Sequence, residues 1–236
     1  MIEEVIIIIL FILLFVILYT RYDVRKYKTY RHTPRISVAQ FSAGVQPGDI
    51  LLGHWDYDAS SLKSLFYHFV LNRAYTTLAG DIQTHVSVIV KNPNTGTLYV
   101  YDNYPEPRYD DYFQKTKTSG PALMLPEKFI AHYGGNVFWM PRIQLPEELH
   151  SAWQYIMNSA YKYFDQSIWR LTNSVLKLGS NPRRSHRNLF CSENAADVLN
   201  YYDLHFANPN ITNPQDIKNA AIKSNLYDNL FLIDVQ

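Results

Sequence analysis

The sequence predicts an α+β domain with a mostly antiparallel sheet packed with helices, and an apolar helix in front of it. Three observations predict this class. An unbroken apolar run stands near the N-terminus, and short segments rich in β-branched residues are joined by turns. Longer segments carry apolar residues at the i, i+3, i+4, i+7 spacing of helices. The 236 residues are enough for one domain with a full core and a short appendage.

The apolar run from Val5 to Tyr19 predicts a membrane anchor. A helix over this run is about 22 Å long. Extension to Met1 and Tyr22 brings it close to the hydrocarbon thickness of a bilayer, about 30 Å. A cleaved signal peptide would begin with basic residues and end with small ones, whereas this segment begins with two glutamates. We therefore predict an uncleaved transmembrane anchor over residues 1–20.

The segment after the anchor is basic, and we predict a linker over 21–44 and a domain over 45–236. Because positively charged flanks stay on the cytoplasmic side of a membrane, we expect the domain to face the cytoplasm. A single cysteine fits a reducing compartment. The net charge of +1 and the lack of a charged tail argue against nucleic acid as a partner. The basic residues are Arg21, Arg25, Lys26, Lys28, Arg31 and Arg35.

The first half of the predicted domain contains a turn, a strand, a helix and a hairpin. The turn lies over 46–49, and the apolar strand after it over 50–52. Helical spacing predicts a helix over 60–73, whose apolar stripe is a core face or, less simply, a surface that faces lipid. Strands over 85–90 and 97–101 are joined by a tight turn.

The second half adds strands and helices around the single cysteine. Apolar periodicity, glycine and proline set their limits. The predicted segments are a polar loop over 104–120, strands over 122–125 and 136–143, helices over 146–164 and 168–178, a basic loop over 181–187, a helix from Phe190, a helix that starts within 212–216, and a strand over 230–235.

Cys191 stands in the first turn of a predicted helix. Ala195, Val198 and Leu199 recur on one face of that helix, as in a stripe that faces a core. Unpaired N–H groups and the positive end of the helix dipole favour a thiolate at this position, which makes the thiol a better nucleophile. The alternative is a small buried hydrophobic residue, as most lone cysteines are.

His85 begins one strand of the predicted hairpin, and Asp102 follows the end of the other. Strand pairing therefore brings the two side chains to the same end. With Cys191 they make up a nucleophile, a base and a group that orients the base. The backbone N–H groups of Cys191 and Ser192 would bind the oxyanion. The sequence leaves open whether the three side chains meet.

Four segments in this order carry a resemblance to a known family: Pro47-Gly48-Asp49-Ile50-Leu51-Leu52, Thr84-His85-Val86-Ser87-Val88-Ile89, Leu98-Tyr99-Val100-Tyr101-Asp102 and Phe190-Cys191-Ser192-Glu193. A fifth, weaker one is Asn213-Pro214-Gln215-Asp216-Ile217. The chain resembles the permuted NlpC-type branch of the papain-like hydrolases, the YiiX-like enzymes, with lecithin–retinol acyltransferase as a more distant relative. The resemblance spans roughly residues 45–220, with histidine before cysteine as in the permuted arrangement.

The resemblance implies a permuted papain-like (NlpC-type) fold in which Cys191 is the nucleophile, His85 the base and later the acid, and Asp102 the orienting group. Family members often carry glutamate at the third position, so Asn103 is an alternative orienter. Asp49 is expected to hold its turn. Relatives occur in bacteria and in large DNA viruses, so the interior of a virus particle is a second expected location.

Four residues could line a substrate cleft: His54 and Trp55 after the first strand, Asn103, and Arg187 in the basic loop. An exposed turn explains His54 and Trp55 equally well. Arg187 could bind an anionic head group, but a solvated loop is the favoured interpretation. We expect no cofactor and no metal site, because the other histidines have no partner at ligand spacing. These histidines include His132, His150 and His205.

The sequence thus predicts a membrane-anchored cysteine hydrolase or acyltransferase that forms an acyl-cysteine intermediate. Its substrate would be an amide, ester or thioester, either derived from lipid or carried by a peptide, and the acceptor is left open. Two alternatives come from other classes. One is a catalytically inactive papain-fold module that binds a partner or acts as a scaffold, and the other is a structural membrane protein of a virus particle.

Overall fold

The structure is a computed structural model. It describes residues 2–55, 76, 81–104, 107–160, 162–164, 188–189 and 191–235.

The described strands are short, and those in the centre of the main sheet have buried side chains on both faces. In chain order they are β1 (Arg35–Ser37), β2 (Ile50–Trp55), β3 (His85–Lys91), β4 (Leu98–Tyr104), β5 (Arg108–Asp110), β6 (Lys115–Lys117), β7 (Gly120–Met124), β8 (Gly135–Met140), β9 (Tyr163–Phe164), β10 (Asn188–Leu189) and β11 (Phe231–Asp234).

Seven of these strands form one sheet, in the order β1-β11-β8-β2-β3-β4-β7. Neighbours in this sheet pair antiparallel, except that β1 runs parallel to β11 among the strands described. Two small pairs, β5 with β6 and β9 with β10, lie outside it. The predicted α+β class with a mostly antiparallel sheet is therefore confirmed.

Helices cover both faces of the sheet. The described α-helices are α1 (Ile2–His32), α2 (Val38–Gly44), α3 (Pro126–His132), α4 (Leu149–Ser159), α5 (Cys191–Asn200) and α6 (Pro214–Ser224). Side chains of a strand alternate between faces, so β2 supplies Leu52 to one core cluster and Leu51 to the other. The first cluster also contains residues of α4, α5 and α6, and the second contains residues of α2 and α3.

The N-terminal helix covers the predicted anchor from Ile2 onward and continues to His32. Across the described residues, no helix combines the length and hydrophobicity that crossing a membrane requires. The C-terminal part of α1 contacts the domain. The ring of Tyr30 lies 5.5 Å from that of Phe138, and Arg25 donates to the backbone carbonyl of Thr76.

The segment predicted as a linker over 21–44 contains regular structure. After α1, the strand β1 pairs with β11, and a capping box between Ser37 and Gln40 starts α2. Phe41 is fully buried in the core. The packed structure therefore begins ahead of residue 45. The sequence did not indicate this, because one apolar residue in a short helix and one edge strand are weak signals.

The polar segment predicted as an irregular loop over 104–120 contains the hairpin of β5 and β6. Asp110 closes its turn by accepting from the backbone N–H groups of Tyr112 and Phe113. Helix α3 lies between two predicted strands and was not expected from its short apolar pattern. The helices predicted over 60–73 and 168–178 and the basic loop over 181–187 lie outside the described residues.

Candidate active site

Cys191 is the first residue of α5, and its side chain is buried. The residues from Cys191 to Leu199 are all buried, so this helix is packed on every side. The hydroxyl of Ser192 donates to the backbone carbonyl of Thr212 at 2.7 Å and fixes the first turn. Helix geometry leaves the first N–H groups, among them those of Cys191 and Ser192, without acceptors inside the helix. They are suited to bind an anion.

The ring of His85 lies between Asp102 and Cys191. Its Nε2 is 2.5 Å from Oδ1 of Asp102, and the Cys191 side chain is close enough to the ring to raise its pKa. Because Nε2 is engaged by Asp102, Nδ1 is the ring nitrogen available to the thiol. Both His85 and Asp102 are buried, at 5% and 0% exposure, so they interact without competition from bulk water.

Strand pairing produces this arrangement. In the register of β3 with β4, Val88 lies opposite Tyr101, so the next pair along brings Ser87 opposite Asp102. His85 lies two residues before Ser87 and shares its face of the sheet. The hydroxyl of Ser87 donates to Oδ1 of Asp102 at 2.7 Å, so one carboxylate oxygen binds both side chains of β3.

Charges around the ring favour the imidazolium. Burial alone would lower the pKa of His85, but the negative charges of Asp102 and Cys191 outweigh it and raise the pKa to about 10. Burial likewise opposes ionisation of Asp102, yet the charge and hydrogen bond of His85 and the charge of Arg108 hold its pKa below the usual value. The site therefore favours a carboxylate at Asp102 and an imidazolium at His85.

Aromatic rings fix the plane of the imidazole. The ring of Tyr104 meets it edge-on, with the centroids 4.8 Å apart, and the ring of Tyr133 lies 6.2 Å away. Gly53, which pairs with His85 across β2 and β3, leaves room for Tyr133, because a Cβ at Gly53 would collide with the Tyr133 hydroxyl. The position of the base thus depends on a glycine in the neighbouring strand.

No protein-family model and no curated protein matches this chain. The chain is similar to a solved structure. This is the crystal structure of the metalloprotein yiiX from Escherichia coli O157:H7, at 16% identity over 80% of this chain and 89% of that chain, with a TM-score of 0.41. Within the described ranges of this chain, no group of three or more His, Cys, Asp or Glu side chains is placed to hold a metal ion.

The residues predicted to line a cleft lie in different surroundings. His54 is fully buried, and its Nδ1 is 2.7 Å from the hydroxyl of Tyr30 in α1. Asn103 is also buried, and Asp102 binds Nε2 of His85. Trp55 ends β2, but its side chain lies outside the described residues, as does Arg187.

Sequence reasoning missed three residues that surround Asp102 and His85: Ser87, Tyr104 and Arg108. A signal existed for Ser87, because it lies two positions after His85 in the same strand and must share its face. A similar count along β4 would have placed Tyr104 beside Asp102. Arg108 begins β5, and nothing in the sequence indicates that its side chain contacts Asp102.

Proposed function

We propose that this protein is a cysteine hydrolase or acyltransferase that works through an acyl-Cys191 intermediate. The observation that carries the proposal is the position of His85, whose Nε2 binds Asp102 and whose ring is close enough to Cys191 for the two side chains to interact. A nucleophile, a base and an orienting acid in contact make up the minimum set for covalent acyl transfer. The substrate class is an amide, ester or thioester.

The first half of the reaction acylates the thiol. Sγ of Cys191 attacks the carbonyl carbon of the substrate, a C–S bond forms, and the carbonyl oxygen becomes an oxyanion. The N–H groups at the start of α5 stabilise that charge. The intermediate then collapses, the bond to the leaving group breaks, and His85 donates its proton to that group.

The second half releases the acyl group. Water or another acceptor transfers a proton to His85 as it attacks the acyl carbon, the C–S bond breaks, and Cys191 leaves as the thiolate. Asp102 stabilises the imidazolium at each step in which it forms. Water gives hydrolysis and any other nucleophile gives acyl transfer, so one site serves both reactions.

The fold we propose for this chemistry is the permuted papain-like fold. The chain order of histidine, acid and cysteine supports it, as does a nucleophile at the start of a helix packed against an antiparallel sheet. In papain the cysteine comes before the histidine, whereas here it comes after it. In a permuted chain the same contacts are made with the termini at a different place.

We also propose that α1 attaches the protein to a lipid membrane. The apolar side chains that the structure describes between Ile6 and Tyr19 are 40–65% exposed, and they would be buried in lipid. An enzyme held at a membrane meets acyl chains at high local concentration, which favours a lipid-derived substrate over a soluble peptide. Flotation of the full chain with phospholipid vesicles tests the attachment, and recovery of all protein in the lipid-free fraction would contradict it.

Alkylation of the single cysteine tests the catalytic proposal. The full chain, kept in a mild non-ionic detergent, is treated with iodoacetamide at pH 6.5, and the mass increase is followed with time. An isolated thiol is only about 1% ionised at this pH. A thiolate held by an imidazolium should therefore react at least about ten times faster in the wild type than in His85→Ala.

The matched control is His132→Ala, which removes an exposed histidine from α3. It should alkylate at the wild-type rate. Equal rates in the wild type and His85→Ala would contradict the proposal, and so would a thiol that stays inert until the protein unfolds. In either case the inactive binding module becomes the better account. With a reactive thiol, fatty-acyl esters and peptide amides are compared as substrates.

A further inference from the structure

Arg108 lies against the side of Asp102 that faces away from His85. Its guanidinium carbon is 3.3 Å from the ring centroid of Tyr104, and its side chain is 12% exposed. Nη1 lies 3.7 Å from Oδ2 of Asp102 and 3.8 Å from Sδ of Met124. An arginine that stacks on a ring has its planar group fixed in one orientation. Arg108 is therefore a positioned cation and not a solvated one.

The two oxygens of Asp102 have different partners. Oδ1 receives the hydrogen bonds from His85 and Ser87. Oδ2 is buried and accepts no hydrogen bond from the described residues. The cation of Arg108 is the group that compensates its charge. A buried carboxylate oxygen with no hydrogen bond and no nearby cation lowers the stability of the folded state. Arg108 therefore stabilises the charged form of Asp102 at Oδ2, the oxygen that Ser87 and His85 do not bind.

We propose that Arg108 is a positioning residue, which holds the Asp102 carboxylate toward His85 and takes part of its charge so that the imidazolium can release its proton. This inference rests on the proposed function, because it assigns a role within the same site. It does not place Arg108 in contact with a substrate. Its effect reaches the thiol through Asp102 and His85.

The charge balance explains why a second cation matters. Among the described residues, the titratable groups around the ring are Asp102 and Tyr104 on β4, Cys191 on α5, and Tyr133 after α3. Without Arg108, the imidazolium would be the only cation between a carboxylate and a thiolate. It would then hold its proton more tightly and donate it more slowly to a leaving group. Arg108 offsets one of the two negative charges.

Protonation of His85 in Arg108→Met tests the inference. The full chain is labelled with ring ¹⁵N-histidine, and ring shifts are recorded from pH 6 to 11 in the wild type and the variant. His85 is assigned by the signal lost in His85→Ala. The wild-type ring should be about half protonated near pH 10. Removal of a cation near Asp102 should move this midpoint upward by about one pH unit, so the variant ring remains an imidazolium at pH 10.

Three further variants make the outcome decisive. Arg108→Lys keeps the charge and should titrate close to the wild type. Arg35→Met removes a cation that pairs with Asp234 at the far edge of the sheet and should leave His85 unchanged. If Arg108→Met unfolds, Arg108→Gln carries the same test. An unshifted midpoint overturns the inference, as does loss of folding in both neutral variants, since the role of Arg108 would then be structural.

The alkylation assay separates this inference from the proposed function. If His85→Ala alkylates as fast as the wild type, the proposed function fails, whatever Arg108 does to the ring. If His85→Ala is slow but Arg108→Met leaves the midpoint in place, the catalytic proposal stands and the assignment of Arg108 is wrong.

Discussion

Two aspartates, Asp49 before β2 and Asp102 in β4, are both fully buried, but their surroundings differ. Asp49, in the turn before β2, accepts from the backbone N–H of Gln46 and Arg142 and from Nε1 of Trp139. Burial outweighs these donors and raises its pKa to about 7. Asp102 is equally buried, yet its pKa lies below the usual value.

The difference lies in the charges next to each carboxylate. Burial penalises the ionised form at both positions. Asp102 has an imidazolium on one oxygen and the Arg108 guanidinium near the other, and these charges reverse the penalty. At Asp49 the hydrogen-bond donors that the structure describes are neutral N–H groups, and the nearby charge of Arg142 lowers the pKa too little to offset burial. A buried carboxylate that fixes a turn can be neutral, whereas one that stabilises an imidazolium must stay charged. Asp49 therefore has a structural role in its turn, and Asp102 has an electrostatic role beside His85.

The largest effect on stability is expected from Asp49→Ala. This change leaves three N–H donors without an acceptor, two of them in the backbone and one in Trp139, and each unsatisfied buried group costs about 1–3 kcal/mol. We expect the free energy of unfolding to fall by about 3–5 kcal/mol in total. Urea denaturation followed by tryptophan fluorescence measures it.

Asp102→Asn is the matched partner of that variant. Asparagine keeps the shape of the side chain but removes the charge that stabilises the imidazolium, so Cys191 should alkylate more slowly at pH 6.5. Below its unfolding midpoint in urea, Asp49→Ala should alkylate at the wild-type rate. If the turn variant slowed alkylation as much as Asp102→Asn, the division of roles between the two aspartates would be wrong.

A smaller effect is expected in the dependence of stability on pH. The folded pKa of Asp49, about 7, is above the ordinary value of 3.8, so the folded state binds the proton more tightly than the unfolded state. Stability from this group is therefore present below about pH 4 and is lost as the pH rises to 7.

Asp49→Asn should remove this loss. The free energy of unfolding of the wild type, relative to the variant, should fall by about 3 kcal/mol from pH 4 to pH 7. Denaturation curves at several pH values measure the difference between the two proteins. A difference that stays constant, or that grows in favour of the wild type as the pH rises, would show that the donors keep Asp49 ionised.

The parts of the site that follow from strand geometry were accessible from the sequence. A hairpin fixes which strand ends are neighbours, so the proximity of His85 and Asp102 follows once the turn between their strands is recognised. The structure brings these side chains together. The start of the cysteine helix could also be predicted, because its apolar periodicity is regular. Asp49 was correctly expected to hold its turn.

Contacts between distant segments could not be predicted in this way. Arg108 in β5 contacts Asp102 in β4, and Tyr30 in α1 contacts His54 in β2. From its place after a strand, His54 could line a cleft or lie in an exposed turn, but it is buried and its Nδ1 lies beside the Tyr30 hydroxyl. The local sequence does not indicate which long side chain will contact a given strand, because that depends on tertiary packing.

The smallest effect is expected from Ser87→Ala, which removes a hydrogen bond to Asp102 without changing any charge. The hydroxyl donates to Oδ1, the same oxygen that binds His85. Its loss removes one neutral hydrogen bond to a charged group, worth about 1.5–3 kcal/mol at most. His85 and Arg108 still hold the carboxylate, so alkylation at pH 6.5 should slow by only about threefold.

Ser87→Thr, which keeps the hydroxyl, is the control. A loss as large as that in Asp102→Asn would mean that hydrogen-bond geometry, and not the two flanking cations, keeps the carboxylate in place. Asp102 would then be held in the same way as Asp49.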